Sequence, residues 1–289
     1  MRVLVAGASG LIGTPLVERL RARGDEVVRL VRREVRERDE IRWDATTLDP
    51  SVLDGVDAVV GLSGASVGRI PWTPAYRRTL LESRVHPTRA LAEAIVAAKR
   101  APAVFVSGSA IGIYGNRPGE TLDESSPTGE GFFPELVRAW EAASAIAAGT
   151  TRVVNPRSSV VIARGGGMLP IRLLTGVGLG AGFGRGEQFW PWISQVDEVS
   201  ALIHLIGSKL TGPVILAGPV PATSDEVTEA FARVMHRPHL LRVPSFAVKV
   251  LGEAGSRLLL DDAHVLPAKL TADGFNWAQP TIIDAVQAI

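Results

Sequence analysis

The chain has 289 residues, 46% of them hydrophobic and 21% charged, and its 31 Lys and Arg are balanced by 30 Asp and Glu. That length suits one large α/β domain or a nucleotide-binding domain with a smaller companion, and the even charge provides no broad field to draw nucleic acid or anionic lipid, so neither is expected as a partner. Cysteine is absent, which excludes disulfides, thiolate nucleophiles and Cys-ligated zinc and leaves the chemistry to oxygen and nitrogen groups.

The apolar run Val3 to Ala6 is short and enters a glycine-rich turn without a small-residue cleavage site, so it reads as a buried strand and not a signal peptide. No window approaches the roughly 18 apolar residues of a membrane span. A cytoplasmic protein is the expectation. Strand-like runs near 3–6, 27–31, 41–43, 56–62, 103–107 and 151–162 alternate with helix-like segments near 11–23, 75–99 and 133–148. Strands apolar on successive residues, alternating with helices, predict a parallel sheet covered on both faces, the doubly wound α/β class.

Past residue 164 the texture changes. The stretches RGGGMLP and GVGLGAGFGRGEQ are glycine-dense and costly to order, as loops lining a binding cleft often are. WPWISQVDEVSALIHLIGSK then reads as a short strand entering a helix, and TSDEVTEAFARVM opens with Thr223 and Glu226 at capping-box spacing. A soft boundary near 164 divides a nucleotide-binding domain, 1–164, from a smaller substrate lobe, 165–289, whose chain can cross back to the sheet.

The sharpest motif is GASGLIG, directly after the first strand and opening a helix, the setting that a dinucleotide fingerprint requires. Gly7 permits a turn that other residues would strain. Gly10 removes a Cβ that would strike a pyrophosphate, and Gly13 lets helix and strand approach closely. The helix N-terminus then offers unpaired N–H groups and partial positive charge to phosphates. Gly7, Ser9, Gly10, Leu11, Ile12 and Gly13 are therefore the candidate cofactor cradle, an ordinary tight turn being the plainer reading.

The spacing G-x-x-G-x-x-G resembles the short-chain dehydrogenase/reductase superfamily. Further stretches, VDAVVGLSGASV, VFVSGSAIGIYGN, RSSVVIARGGGMLP, FWPWISQVDEV and the ending VPSFAVKVLGE with VLPAKLTADGFNWAQPTIIDAV, extend the likeness over nearly the whole chain. Together they look like the SulA-like "epimerase family" proteins, an atypical branch. The resemblance implies a Rossmann-like sheet of the extended type and a nicotinamide cofactor.

An acid after the second strand accepts the ribose hydroxyls in NAD-binding relatives. Here VVRLV runs into Arg32 and Arg33. Guanidinium pairs with a 2′-phosphate where a carboxylate would repel it, so NADP(H) is the expected cofactor, with the alternative that both arginines only solvate a strand end. The resemblance also implies that Asp44 approaches the adenine, that Leu62, Ser63 and Gly64 pass beside the cofactor, and that Arg84 sits near its far side.

Superfamily enzymes commonly carry Tyr-x-x-x-Lys on the helix after the fifth strand, the tyrosine exchanging a proton with the substrate while the lysine lowers its pKa. Aligning Glu141 with the helix glutamate of sugar epimerases puts Phe133 and Val137 at those positions. Neither exchanges protons. Ser109 matches the superfamily serine and Tyr114 the tyrosine of the extended enzymes' Y-G turn, which is not the usual catalytic one. These two are the candidate catalytic residues, with Glu135 or Arg138 as further donors or acceptors, against a turn-capping role for either hydroxyl.

The five histidines show no ligand spacing, and no metal site is expected. Of Trp190 and Trp192, one is expected in the core and one on the cleft. Asp197 reads as a helix N-terminal residue, and Arg185 as an anion contact by analogy with nucleotide-sugar enzymes. The leading expectation is an NADP(H)-binding oxidoreductase-like protein, monomer or small homo-oligomer, acting on a small molecule by a nonstandard or substrate-supplied proton path. A non-catalytic NADP(H)-binding regulator is one alternative, and a nucleotide-sugar epimerase or dehydratase, disfavoured by the missing pair, is another.

Overall fold

The computed structural model describes residues 1–289. In chain order the elements are β1 (Arg2–Ala6), α1 (Gly13–Ala22), β2 (Glu26–Val31), β3 (Glu40–Arg42), β4 (Ala58–Gly61), α2 (Pro74–Ala97), β5 (Val104–Ser107) and β6 (Ser109–Ala110). Next come β7 (Thr121–Leu122), α3 (Phe132–Ala145), β8 (Arg152–Ser158), β9 (Val160–Ile162), α4 (Leu169–Gly176), β10 (Gly180–Phe183), β11 (Trp192–Ser194) and α5 (Gln195–Gly207). The chain closes with β12 (Gly212–Leu216), α6 (Ser224–Val234), β13 (His239–Val243), α7 (Ser245–Lys249), α8 (Gly252–Leu259), β14 (His264–Val265), α9 (Ala268–Ala272) and α10 (Ile282–Gln287).

The main sheet is parallel, in the order β12-β8-β5-β4-β1-β2-β3. Its central strands are apolar on both faces because helices cover both: β4 and β5 are buried at every position. One face packs Leu16, Val17 and Leu20 of α1 and Val199, Leu202 and Leu205 of α5 against Val3, Val5 and Val60. The other sets Leu91 and Ile95 of α2 against Leu4, Val59 and Phe105. Each fully buried Leu, Ile or Phe contributes roughly 1.5–3 kcal/mol.

The strand near 151–162 is two strands. The chain leaves the main sheet at Ser159, with β8 pairing β5 and β12 while β9 pairs β11. The division at 164 is crossed by later chain, since α5 covers the sheet and β12 extends its edge. The C-terminal segment also returns. Asp197, 1% exposed, accepts the N–H groups of Ala278 at 2.7 Å and Gln279 at 3.0 Å, and Trp277 donates to the carbonyl of Ala217. The capping box of Thr223 and Glu226 is formed at the start of α6. No helix is long and apolar enough to cross a membrane.

Candidate cofactor and substrate site

The turn between β1 and α1 is shaped by close approach. Gly7 has φ +83°, and a Cβ there would lie 2.7 Å from the carbonyl carbon of Leu62, which follows β4. A Cβ on Gly13 would lie 2.1 Å from the Gly7 carbonyl oxygen, so α1 meets the turn with no room for a side chain. Gly10 differs: a Cβ would meet only the Gly7 oxygen, at 3.3 Å, and otherwise point into open space. The N–H groups of Leu11 and Ile12 have no protein acceptor, and Ile12, at the N-cap of α1, provides no side-chain cap. By contrast, Ser194, Thr223 and Thr281 cap α5, α6 and α10 with their own oxygens. Open space before unpaired N–H groups and a helix N-terminus fits a pyrophosphate.

At the end of β2 the two arginines part company. Arg33 forks onto Glu40, Nη1 to Oε2 at 2.9 Å and Nη2 to Oε1 at 2.6 Å, and also donates to the Glu34 carbonyl. The Glu40 side chain is wholly buried. The Arg33 hydrogen bonds, with the N–H groups of Arg36 and Glu37, hold its pKa down to about 2. Arg32 is exposed and has no hydrogen-bonded partner in the protein. It borders a cleft of about 590 Å³ with Ile41, Trp43, Asp44, Leu48 and Val52. Asp44 accepts the N–H groups of Thr46 and Thr47 at 2.7 and 2.8 Å, bonds that lower its pKa to about 2 and spend the carboxylate on shaping the loop.

Leu62, Ser63 and Gly64 follow β4 beside the glycine turn. Gly64 lies over Arg84, whose guanidinium carbon would be 3.1 Å from a Cβ at that glycine. Arg84 donates to the carbonyls of Leu80 and Ala65, each at 3.0 Å, and lies over the Trp140 ring at 5.3 Å. Burial lowers its pKa to about 10.

The candidate catalytic hydroxyls belong to one buried chain. Ser109, 4% exposed, donates to Glu141 Oε1 at 2.6 Å. Glu141 is forked by Arg157 at 2.9 and 3.0 Å, and Arg157 Nη1 donates to the Tyr114 hydroxyl at 2.8 Å. Tyr114 in turn donates to the Asp123 carbonyl at 2.8 Å. Tyr114 is completely buried and burial pushes its pKa up to about 12, so its phenol is engaged within the core. Sequence reasoning missed Arg157. The signal was a lone charge inside an apolar strand, rarely buried unless paired.

Phe133 packs edge-on against Trp72 at 4.8 Å, and Val137 is 1% exposed, so apolar packing fills the Tyr and Lys positions. Glu135 and Arg138 are exposed on α3, Arg138 donating to Thr128 and the Gly129 carbonyl. One expectation needs correction. Trp190 and Trp192 are both buried, at 6% and 2% exposure, because residues two apart in an extended segment share a face. Arg185 is 83% exposed and pairs with Glu187 on the surface.

A parallel sheet with an uncapped helix N-terminus at its first glycine turn defines a Rossmann-like dinucleotide-binding protein. The NAD dependent epimerase/dehydratase family model matches residues 3–218, and residues 243–289 match a domain of unknown function, DUF1731. The chain belongs to that epimerase/dehydratase family. It is 40% identical over 290 residues to the "Epimerase family protein Mb2239" of Mycobacterium bovis, covering 98% of this chain and 96% of the relative. The crystal structure of human epimerase family protein SDR39U1 (isoform2) with NADPH superposes with a TM-score of 0.92 at 33% identity, over 100% of this chain and 99% of that one. A UDP-glucose 4-epimerase from Thermotoga maritima, 14% identical, matches at 0.78 over 99% of this chain and 96% of its own and shares the fold alone.

Proposed function

We propose that the protein binds NADP(H) and acts as an oxidoreductase-like member of its family on a small molecule. The observation that carries this is Arg32, an exposed guanidinium with no protein partner, beside the cleft at the end of β2. It supplies the counter-charge for a 2′-phosphate, Asp44 shapes the adenine side, and the N–H groups of Leu11 and Ile12 receive the pyrophosphate over Gly10. Ser9, Gly7 and Gly13 complete that turn, and Leu62, Ser63 and Gly64 flank the nicotinamide half. The human relative crystallised with NADPH supports the same choice of cofactor.

When bound, the cofactor supplies a hydride donor or acceptor. With Phe133 and Val137 at the usual pair's positions, the chain's own proton source is not a phenol on α3. Ser109, as a donor to Glu141, retains only acceptor capacity towards a ligand. The proton then comes from the substrate or from water. The same observation favours a second reading, a cofactor-binding regulator without turnover: both candidate hydroxyls are engaged inside the protein. Nicotinamide absorbance, followed with NADPH and a panel of carbonyl compounds, separates them. Turnover supports the enzyme, and tight binding without turnover supports the regulator.

A further inference from the structure

The hydrogen-bond ladder at the start of α1 has one gap. The N–H of Thr14 donates to the Gly10 carbonyl and that of Leu16 to the Ile12 carbonyl, at 3.0 and 3.1 Å. The bond between them, to the Leu11 carbonyl, is missing because its donor would be Pro15, which has no N–H and whose ring crowds the carbonyl four residues back. Another part of the chain supplies the donor. Gln195, in the first turn of α5, donates its Nε2 to the Leu11 oxygen at 2.8 Å. Nitrogen is the only donor on that side chain, so the amide has one orientation.

Leu11 is held a second time from the same quarter. β11, which leads into α5, pairs with β9, and the loop after β9 lies against the Leu11 side chain. A Cβ on Gly166, whose φ is +71°, would be 2.7 Å from Leu11 Cδ2, and one on Gly165 would be 3.6 Å from Cδ1. The chain around the small sheet of β9 and β11 thus grips one residue of the glycine turn by its carbonyl and by its side chain. Leu11 is 38% exposed, so water can serve its carbonyl where Gln195 does not, and the tether adds direction more than stability.

Direction matters because one peptide plane contains both the Leu11 carbonyl and the Ile12 N–H. In a trans peptide the two point in opposite directions. Fixing the oxygen on Gln195 therefore turns the Ile12 N–H the other way, where it meets no protein acceptor. We propose that Gln195 is a positioning residue of the cofactor site: it replaces the helical hydrogen bond lost at Pro15 and so holds the Ile12 N–H in place as a pyrophosphate donor. This rests on the NADP(H)-binding reading above and deepens it, because it makes the grip on the pyrophosphate depend on a side chain from α5, outside the glycine turn.

The test measures the binding of NADPH and of adenosine 2′-phosphate, which has the adenine end without a pyrophosphate, to the full-length protein by calorimetry, the weaker ligand by displacement of NADPH. Gln195→Ala should weaken NADPH about two- to tenfold, the range of one neutral hydrogen bond, and leave adenosine 2′-phosphate unchanged. Gln195→Glu keeps the shape but has no donor at neutral pH. It should weaken NADPH at least as much, and it covers an alanine variant that fails to fold. Pro15→Ala returns an N–H to the missing rung of α1. Alone it should leave NADPH binding unchanged, and combined with Gln195→Ala it should restore the wild-type affinity, a rescue specific to the Leu11 carbonyl. Unchanged NADPH affinity in the Gln195 variants, an equal loss for adenosine 2′-phosphate, or no rescue by Pro15→Ala overturns the assignment while leaving the functional reading intact. Wild-type protein that binds neither ligand overturns the functional reading, and the assignment with it.

Discussion

Arg32 and Arg33 are adjacent in sequence, yet substituting them should have different consequences. A guanidinium hydrogen-bonded to a phosphate contributes roughly 1.5–3 kcal/mol, which corresponds to about 10- to 150-fold in affinity. Arg32 is exposed and unpartnered at the cleft, so Arg32→Ala should remove a factor of that size from NADPH binding and leave NADH nearly unchanged. Arg33 could donate its fork to a phosphate only by withdrawing it from Glu40, whose side chain is fully buried. Without that fork Glu40 keeps only the N–H groups of Arg36 and Glu37 and an approach from Arg29 at 3.3 Å, so moving Arg33 to a phosphate trades one charged pair for another and gains little. Arg33→Ala should therefore lower folding stability while changing the NADPH-to-NADH ratio only about twofold or less, through a charge screened by salt. Calorimetry with each cofactor on each single variant, alongside urea denaturation, measures all four quantities. A ratio that collapses in Arg33→Ala and survives in Arg32→Ala would refute the reasoning, and equal affinity of the wild type for both cofactors would refute its premise.

Gly10→Val should keep the fold, because only the Gly7 oxygen lies near the new Cβ, and should lose NADPH binding; a variant that melts normally and binds normally would reduce the glycine to a turn former. Tyr114→Phe strips the acceptor from Arg157 and the donor from Asp123, and should cost roughly 1–3 kcal/mol in urea denaturation with NADPH affinity preserved. Loss of affinity at unchanged stability would mean that the hydroxyl meets a ligand. Glu198 is fully buried, donated to by Ser158 at 2.6 Å, and burial raises its pKa from 4.5 to about 7. Its folded pKa lies above the unfolded one, so the stability it confers is complete below about 4.5, falls as pH rises, and is gone above about 7. The difference is on the order of 3 kcal/mol. Glu198→Gln should flatten that decline in a series of denaturation curves, and an unaltered slope would show that the carboxyl ionises freely.

How much was legible depended on whether a residue's role is local. The unit β1–α1–β2 could be read directly, since an apolar run, three glycines and a helical face are features of consecutive residues. The capping box at Thr223 and Glu226 is equally local, and it formed. The strand Gly212–Leu216 was not anticipated, because a short apolar run does not distinguish a strand from a stretch of buried helix or loop. Its identity comes from pairing with β8. The break at Ser159 is likewise set by partners, β8 belonging to one sheet and β9 to another.

At the site the same distinction separates residue types from their employment. The sequence marks Arg32 and Arg33 as equivalent cations, and only β3, which brings the buried Glu40 beside the end of β2, makes one a structural fork and leaves the other free. Ser109 and Tyr114 match positions known for chemistry, but their availability depends on Glu141 and Arg157, contributed by α3 and β8. Arg157 was detectable as a charge within the buried run VVNPRSSVVI, where an unpaired guanidinium would be too costly to keep. The same cost argument has a different outcome at Arg84. There, folding brings up backbone carbonyls and an indole ring but no acid. A fold that neutralises Arg157 within its core yet leaves Arg84 without a counter-ion at the ligand-binding edge has left that charge to be matched from outside the chain.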